Sequence, residues 1–219
     1  MSIHDASKKK KHDKKQEDDP VRKLTTGEIA LARTVFGNRI DYEKVKIHYG
    51  SYLPFGLQAG SVAMTPNGEL YFRTTLYRED FSQTLDDLQH LFIHEMSHVW
   101  QRARGMNVIG RGLVSWMVSY RYTLDGRLLS EYPMEQQAQI IADNFTLQTQ
   151  GYKVWHRLWG GKNPTITLDG DTTESVVRKQ YKIALRGFHG ESTWFSYVLF
   201  GCSFWCMSGD INRMPGSGG

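Results

Sequence analysis

Apolar residues recur every three or four positions between residues 85 and 99, and this spacing predicts a long amphipathic helix. The helix should begin at Ser82 or Thr84 and end at Gly105. Asp86 and Asp87 would then lie in its first turn, where the helix dipole favours negative charge. One face of this helix is expected to lie against a core. The residues that define the face are Leu85, Leu88, Leu91, Phe92, Met96 and Val99.

A second helix is predicted nearer the start of the chain by a capping pattern. Thr25 and Glu28 stand three residues apart, which is the spacing of a capping box. In that motif each side chain accepts a hydrogen bond from the backbone N–H of the other residue. Gly37 is the expected end of this helix, because glycine readily adopts the backbone conformation that follows a last turn.

Strands are predicted between the two helices, where the pattern changes to strict alternation. Residues 45–49 alternate in this way, with His48 on the polar face and therefore expected to be exposed to solvent. Residues 61–64 and 69–72 flank Asn67-Gly68, which is a strong hairpin signal. A small antiparallel sheet should therefore precede the long helix.

The second half of the chain is predicted to hold another hairpin and another helix. Residues 113–124, which are rich in strand-forming side chains, and residues 127–129 flank Asp125-Gly126. This arrangement predicts the second hairpin. Pro133 occupies the position that proline favours at the start of a helix, and that helix should run to Gly151.

The rest of the chain is predicted to contain a long loop, a further helix and two loose ends. Residues 152–170 hold several Gly, Asn and Pro, and long loops of this kind often form lids over functional sites. Residues 173–185 should form a helix. The mixed-charge stretch 1–22 has almost no apolar content and is expected to be disordered. One domain would then span 23–212, with a flexible end at 213–219.

Composition excludes several classes of protein. A net charge of +4 and a pI near 9.0 are only mildly basic, so nucleic acid is not an expected partner. The two cysteines, Cys202 and Cys206, do not form a zinc-ribbon pattern. No apolar stretch follows the N-terminal lysines, so no secretion signal is expected. The longest apolar run, 194–207, is too short to span a bilayer and predicts a buried element, with membrane insertion as the alternative.

The chemistry of the chain centres on an HExxH motif within the long helix. His94 and His98 are four residues apart, so both imidazoles can face one metal ion. Glu95 lies roughly 100° further round the helix, at the edge of that face, where it can take a proton from a metal-bound water. The alternative is a helix with two surface histidines. His90, one turn earlier, is interpreted as a neighbour of the site and not as a ligand.

A catalytic zinc site usually has three protein ligands and an open position for water, so a third ligand is needed. A carboxylate from a later helix is the expected donor. Glu135 is favoured because Ala138 and Ala142 on the same face are small and permit close helix packing. Asp143 is expected to accept a hydrogen bond from a ligand histidine instead. The full set of candidates is Glu131, Glu135, Asp143 and Glu174.

Five short motifs occur in order between residues 24 and 150. They are 25–30, 36–37, 47–48, 91–101 and 135–138. In this order they resemble a bacterial HExxH zinc metallopeptidase family that includes the C-terminal effector domains of evolved VgrG spike proteins of type VI secretion. The resemblance implies that His94, His98 and Glu135 bind Zn2+ and that Glu95 is the catalytic base. It also implies an α+β, zincin-like metallopeptidase domain, in which the motif helix packs on a small antiparallel sheet and a second helix carries the third ligand.

The resemblance further implies an antibacterial toxin that hydrolyses peptide bonds in the periplasm of a target cell. Such a toxin would be made in the cytoplasm without a signal peptide. Its expected partners are a peptide or protein substrate, a cognate immunity protein and the secretion spike, whereas membrane association is not expected. The chain departs from the family in two respects. It has no recognisable spike module, and Gln139 stands where many related peptidases have Asp one turn after the ligand Glu.

Two alternatives remain at the level of sequence. The same site would serve a peptidoglycan amidase or endopeptidase, or it would be the vestigial zinc site of a non-catalytic secretion adaptor. The presence of Glu95 argues against the adaptor, because a purely structural metal site needs only ligands. An enzyme also needs a donor for the oxyanion of the transition state. The candidates for this role are Tyr120, Tyr132, His156 and His189.

Overall fold

The structure, a computed structural model, describes residues 20–53, 58, 60–108 and 119–188. Within these ranges it has an α+β fold with five α-helices and six short strands. The helices are α1 (Thr26–Phe36), α2 (Asp86–Ala103), α3 (Met134–Thr149), α4 (Tyr152–Trp159) and α5 (Glu174–Ala184). The strands are β1 (Val21–Lys23), β2 (Lys46–Tyr49), β3 (Ala63–Met64), β4 (Leu70–Phe72), β5 (Tyr122–Thr123) and β6 (Leu168–Asp169).

The folded chain starts slightly earlier than predicted. Val21 and Arg22, assigned to the charged tail from the sequence, belong to β1 and pair with His48 and Ile47 of β2. Backbone pairing thus orders a stretch whose composition alone suggested disorder. The predicted flexible end, the apolar run, both cysteines and His189 lie outside the described residues. Among the residues described, no helix combines the length and hydropathy needed to cross a membrane.

The predicted capping box at the start of α1 is confirmed. Thr25 Oγ1 accepts from the Glu28 N–H at 3.0 Å, and Glu28 accepts from the Thr25 N–H at 2.9 Å. The helix ends at Gly37, as expected, where φ is +58°. Local capping preferences therefore fix both ends of this helix.

The Glu28 carboxylate also joins three parts of the chain. It is completely buried, pairs with both terminal nitrogens of Arg22 at 2.8 Å, and accepts from the Phe81 N–H at 2.9 Å. The neighbouring Gly27 is needed for this close approach, because a Cβ there would lie 2.2 Å from Ser82 Oγ. These contacts fasten β1 and the segment before α2 to the start of α1.

The main sheet is mixed and not antiparallel throughout. Its strand order is β1-β2-β4-β3, and the predicted β3–β4 hairpin is present. The β2–β4 pair, however, is parallel. The reason is that the chain passes from β2 to the far edge before it turns back through β4. His48 is only 17% exposed rather than solvated, because its ring stacks on Tyr71 and its Nε2 lies 2.7 Å from Glu69 Oε2.

Helix α2 begins later than predicted, at Asp86, because residues Phe81–Gln83 form a separate 3-10 turn. Leu85 precedes the helix and is 78% exposed, so it does not belong to the buried face. That face is anchored by Phe92, which stacks on Phe81, which in turn contacts Phe72 of the sheet. The aromatic series thus joins the motif helix to the sheet.

Helix α3 packs along α2, as predicted from the small side chains of Ala138 and Ala142. Ala138 and Ala142 are completely buried, and α3 begins directly after Pro133. Helix α5 also agrees with prediction, with Gly187 (φ +86°) after its end. The two helices that were expected to carry the site therefore lie against each other.

Two predictions for the second half of the chain are wrong. The described strand of the second hairpin, β5, pairs in parallel with the distant β6, and Leu129–Glu131 forms a 3-10 turn instead of a strand. The segment predicted as a loop contains α4 and β6. Helix α4 forms because Trp155 and Leu158, three residues apart, bury one face of it after Gly151 has changed the chain direction at φ +84°.

Candidate metal centre

His94 and His98 lie one turn apart on α2, and their rings face the start of α3. The ring centroids are 5.1 Å apart at 78°, and each residue is 6% exposed. Their Nε2 atoms lie 3.5 Å and 3.2 Å, respectively, from the same oxygen, Oε2 of Glu135. The spacing of four residues therefore brings both imidazoles to one point, as the helical geometry predicts.

Glu135 supplies the third donor from the first turn of α3. One donor atom from each of His94, His98 and Glu135 lies within 4.8 Å of the other two, and all three residues are buried. Two imidazole nitrogens and one carboxylate oxygen form a donor set that suits zinc, with a fourth position left for water. In the described part of the chain, no other group of three His, Cys, Asp or Glu residues meets in this way.

The other candidates for the third donor are engaged elsewhere. Glu131 is exposed and accepts from the Leu128 N–H at 2.7 Å. Glu174 forms an ion pair with Arg178 at 2.8 Å on the following turn of α5. The structure thus brings Glu135 to the histidines, while its role as a ligand stays a prediction.

The Glu135 carboxylate forms buried ion-pair contacts with His94 and His98. Burial alone would lower the pKa of His98, but the Glu135 carboxylate outweighs it and raises that pKa to about 9. Burial would likewise raise the pKa of Glu135, and hydrogen bonds from His94 and His98 lower it well below the usual range instead. The Glu135 carboxylate therefore favours positive charge at this point of the structure.

Gln101 holds His98 from behind, a contact that was not anticipated from the sequence. Its Oε1 lies 2.8 Å from His98 Nδ1, and its Nε2 donates to the Met134 carbonyl at 2.8 Å. Gln101 is completely buried. The amide therefore joins the motif helix to the residue that precedes Glu135. Its position three residues after His98 was visible, but a distant main-chain partner leaves no local signal.

Glu95, the predicted base, is 5% exposed and lies beside this cluster. Its Oε2 accepts a hydrogen bond from Thr65 Oγ1 at 2.7 Å. Thr65 belongs to the turn after β3, thirty residues earlier in the chain, and was not anticipated from the sequence. The carboxylate is thus fixed through one oxygen by a separate element of the fold.

Asp143 was predicted to accept a hydrogen bond from His94 or His98, and this prediction is wrong. Its completely buried carboxylate lies 2.6 Å from His90 Nε2 and accepts from Tyr122 at 2.6 Å and from Gln139 at 2.7 Å. His90 is thus a neighbour of the site, as expected. Gln139 donates to the Asp143 carboxylate, whereas an aspartate at position 139 would repel it. This network joins α2 to α3, about one turn before His94 on α2 and about two turns after Glu135 on α3.

Of the oxyanion candidates that the structure describes, Tyr120 contacts a residue of the cluster. Its ring is 5.7 Å from that of His94. Burial, and then the nearby carboxylates of Glu135 and Glu95, raise the pKa of its hydroxyl, which keeps its proton at neutral pH. Tyr132 instead donates to the Thr123 carbonyl at 2.9 Å. His156 lies on the exposed face of α4, against Tyr152 and Trp159.

Comparison with known proteins gives two matches of consequence, and no family model matches the chain. Over 133 residues, or 57% of this chain, it is 41% identical to the type VI secretion system spike protein VgrG2b of Pseudomonas aeruginosa. The matched part is only 13% of the length of that protein. A solved structure, the effector domain of P. aeruginosa VgrG2b, is 33% identical with a TM-score of 0.53, over 70% of this chain and 87% of the other.

The fold and the site define an α+β domain with a buried cluster of two histidines and one glutamate between two packed helices. The similarity extends over most of the solved effector domain at an identity well above that of chance resemblance. The chain belongs to the family of VgrG-related effector domains.

Proposed function

We propose that this domain is a zinc-dependent metallopeptidase that hydrolyses peptide bonds. The observation that carries the proposal is the convergence of His94 Nε2 and His98 Nε2 on one oxygen of Glu135, with the buried Glu95 carboxylate beside them. A structural metal site would have no use for Glu95, whereas a hydrolase needs a base at this position. The arrangement of motif helix, sheet and second helix supports a zincin-like fold.

In the proposed reaction, His94, His98 and Glu135 would hold Zn2+. When bound, zinc lowers the pKa of a coordinated water toward neutrality and polarises a carbonyl group. Glu95 accepts the proton of the attacking water and delivers it to the leaving amine. The Tyr120 hydroxyl, which stays protonated and belongs to a ring beside His94, would donate to the developing oxyanion.

We further propose that the domain is a type VI secretion effector that acts as an antibacterial toxin in the target periplasm. The proposal rests on similarity to VgrG2b, whose own name describes a type VI secretion spike protein. A spike for delivery and an immunity protein for self-protection are the partners that this role requires. A peptidoglycan amidase or endopeptidase is the second candidate, since both reactions hydrolyse an amide bond at the same kind of site.

The test combines metal analysis, hydrolysis and toxicity. Purified protein should contain one zinc ion and cleave casein, whereas Glu95→Gln should retain zinc and lose activity by about two to four orders of magnitude. Expression directed to the bacterial periplasm should arrest growth for the wild type but not for Glu95→Gln, and cytoplasmic expression should be tolerated. Wild-type protein that binds no zinc would overturn the proposal. Cleavage of muropeptides but not casein would favour the peptidoglycan enzyme.

A further inference from the structure

Thr65 stands at the point where the edge hairpin of the main sheet meets the motif helix. It follows β3 directly and is only 4% exposed. Its hydroxyl lies 2.7 Å from Glu95 Oε2, and both partners are buried. A contact between two buried side chains of separate elements is specific, because it needs both elements in place.

We propose that Thr65 is a positioning residue, which holds the Glu95 carboxylate in the orientation that proton transfer requires. This inference rests on the proposed function, since it gives Glu95 the role of general base. Thr65 itself does not touch the reacting atoms. It acts through one oxygen of Glu95 and leaves the other oxygen to accept the proton of the water.

The direction of the hydrogen bond follows from chemistry. An ionised carboxylate can only accept, so the Thr65 hydroxyl must donate. Hydrogen bonds to a charged acceptor are roughly twice as strong as neutral ones. A free glutamate side chain samples several rotamers, and each one but the productive one would point the base away from the water. Fixing Oε2 from outside the helix removes this freedom before substrate arrives.

The hairpin that carries Thr65 is held by contacts within its turn and with α2. Asn67 Oδ1 accepts from the Glu69 N–H at 3.1 Å, and Asn67 Nδ2 donates to the Tyr71 hydroxyl at 3.1 Å. Gly68 has φ +85°, and a Cβ there would lie 2.9 Å from Arg102 Cδ of α2. The turn therefore packs closely on the motif helix at a second point, which holds Thr65 at a fixed distance from Glu95.

The decisive variant is Thr65→Val, which keeps the shape of the side chain and removes the hydroxyl. Thr65→Ser restores the hydroxyl and removes a methyl group instead. The matched control is Thr146→Val on α3, because Thr146 is likewise buried and also makes one hydrogen bond, to the Ala142 carbonyl at 3.2 Å. All three are measured as full-length protein for zinc content, melting temperature, and kcat and KM on a fluorescent casein peptide.

We expect Thr65→Val to lower kcat by about ten- to a hundredfold, the usual effect of removing a supporting hydrogen bond. KM and zinc content should stay unchanged, and Thr65→Ser should return kcat toward the wild-type value. Thr146→Val should keep the wild-type kcat. A purely structural role predicts a different result, in which Thr65→Val and Thr146→Val lower the melting temperature alike and neither changes kcat.

A crystallographic comparison of the metal-free proteins tests the inference independently of any enzymatic assay. Glu95 should change its side-chain rotamer in Thr65→Val and keep it in Thr65→Ser. An unchanged Glu95 rotamer together with an unchanged kcat would overturn the positioning role while the peptidase proposal stands. A wild type that is inactive and free of zinc would instead overturn the proposed function, and the Glu95 rotamer would then show only whether Thr65 orders that side chain.

Discussion

The Gln101 side-chain amide determines which ring nitrogen of neutral His98 carries the hydrogen. Because Gln101 Nε2 donates to the Met134 carbonyl at 2.8 Å, its Oε1 is the atom that faces His98 Nδ1, also at 2.8 Å. An oxygen accepts, so His98 Nδ1 carries a hydrogen. In neutral His98 the Nε2 lone pair is then directed at the point shared with His94 and Glu135, which is the tautomer that a metal ligand needs.

Gln101 is therefore predicted to support zinc binding. Gln101→Met has a similar shape but neither hydrogen bond, and we expect it to weaken zinc binding by about ten- to a hundredfold. The measurement is competition with a zinc chelator at fixed pH. Gln148→Met is the control, because Gln148 bonds only Asn144 on its own helix among its described contacts. Equal zinc affinity in both variants would contradict the prediction.

Glu135 is predicted to bind the metal and Glu131 is not. Glu135→Ala, like His94→Ala or His98→Ala, should lose zinc and abolish the rise in melting temperature that zinc confers on the wild type, since a metal bound only to the folded state stabilises it. Glu131→Ala should retain both zinc and the thermal shift, because the Glu131 carboxylate is exposed and accepts from the Leu128 N–H instead of facing the histidines. Retention of zinc by Glu135→Ala would place the third donor elsewhere.

The metal-free protein should lose stability as pH rises above neutrality. The pKa of His98 is raised from 6.5 to about 9, so its contribution is complete below pH 6.5 and is lost as pH rises through about 9. The pKa of Glu135 is lowered from 4.5, so its contribution is present above pH 4.5 and declines below it. The urea concentration at the midpoint of unfolding, measured in the presence of a chelator, should therefore decrease as the pH is raised from 6.5 to 9.

Two comparisons make the pH prediction specific. His98→Ala lacks the titrating group and should show a flatter profile over the same range. Added zinc should stabilise the wild type more strongly as pH rises, because the metal must displace the His98 proton. A midpoint for the wild type that does not vary with pH in chelator would show that the ion pair contributes nothing to stability.

Asp143 is predicted to contribute mainly to the stability of the fold and less to zinc binding. Its carboxylate is the acceptor on which His90, Tyr122 and Gln139 converge, so Asp143→Ala would remove a buried charged acceptor that three side chains share. We expect a loss in the free energy of unfolding of about 3 kcal/mol. Chemical denaturation with zinc present and absent measures it. An unchanged unfolding free energy with weakened zinc binding would instead support the direct role predicted from the sequence.

The sequence predicted those features that depend on residues close together in the chain. The capping box of Thr25 and Glu28, the turn at Asn67-Gly68 and the shared face of His94 and His98 each arise within a few positions. The meeting of Glu135 with that face was also foreseen, because Ala138 and Ala142 mark a helix side that tolerates close packing. These predictions depended on local geometry and side-chain volume.

What the sequence did not reveal depends on pairing between distant segments. Tyr122 lies opposite Leu168, and nothing near either residue indicates a parallel partner so far along the chain. The Thr65–Glu95 contact likewise needs the hairpin and the motif helix to be placed first. Helix α4 was missed for another reason, since the glycines and Pro164 after it outweighed the helical spacing of Trp155 and Leu158.

The position of Glu28 limits where this domain can be cut. Its carboxylate is completely buried and relies on Arg22, only six residues earlier, for its two strongest contacts. A fragment that starts after Lys23 would leave a buried charge without its partner, at a cost of about 3 kcal/mol, a large share of the stability of a small domain. Any transplant of this domain onto another carrier must therefore join upstream of Val21, so the shortest autonomous unit includes a strand that looks dispensable by composition.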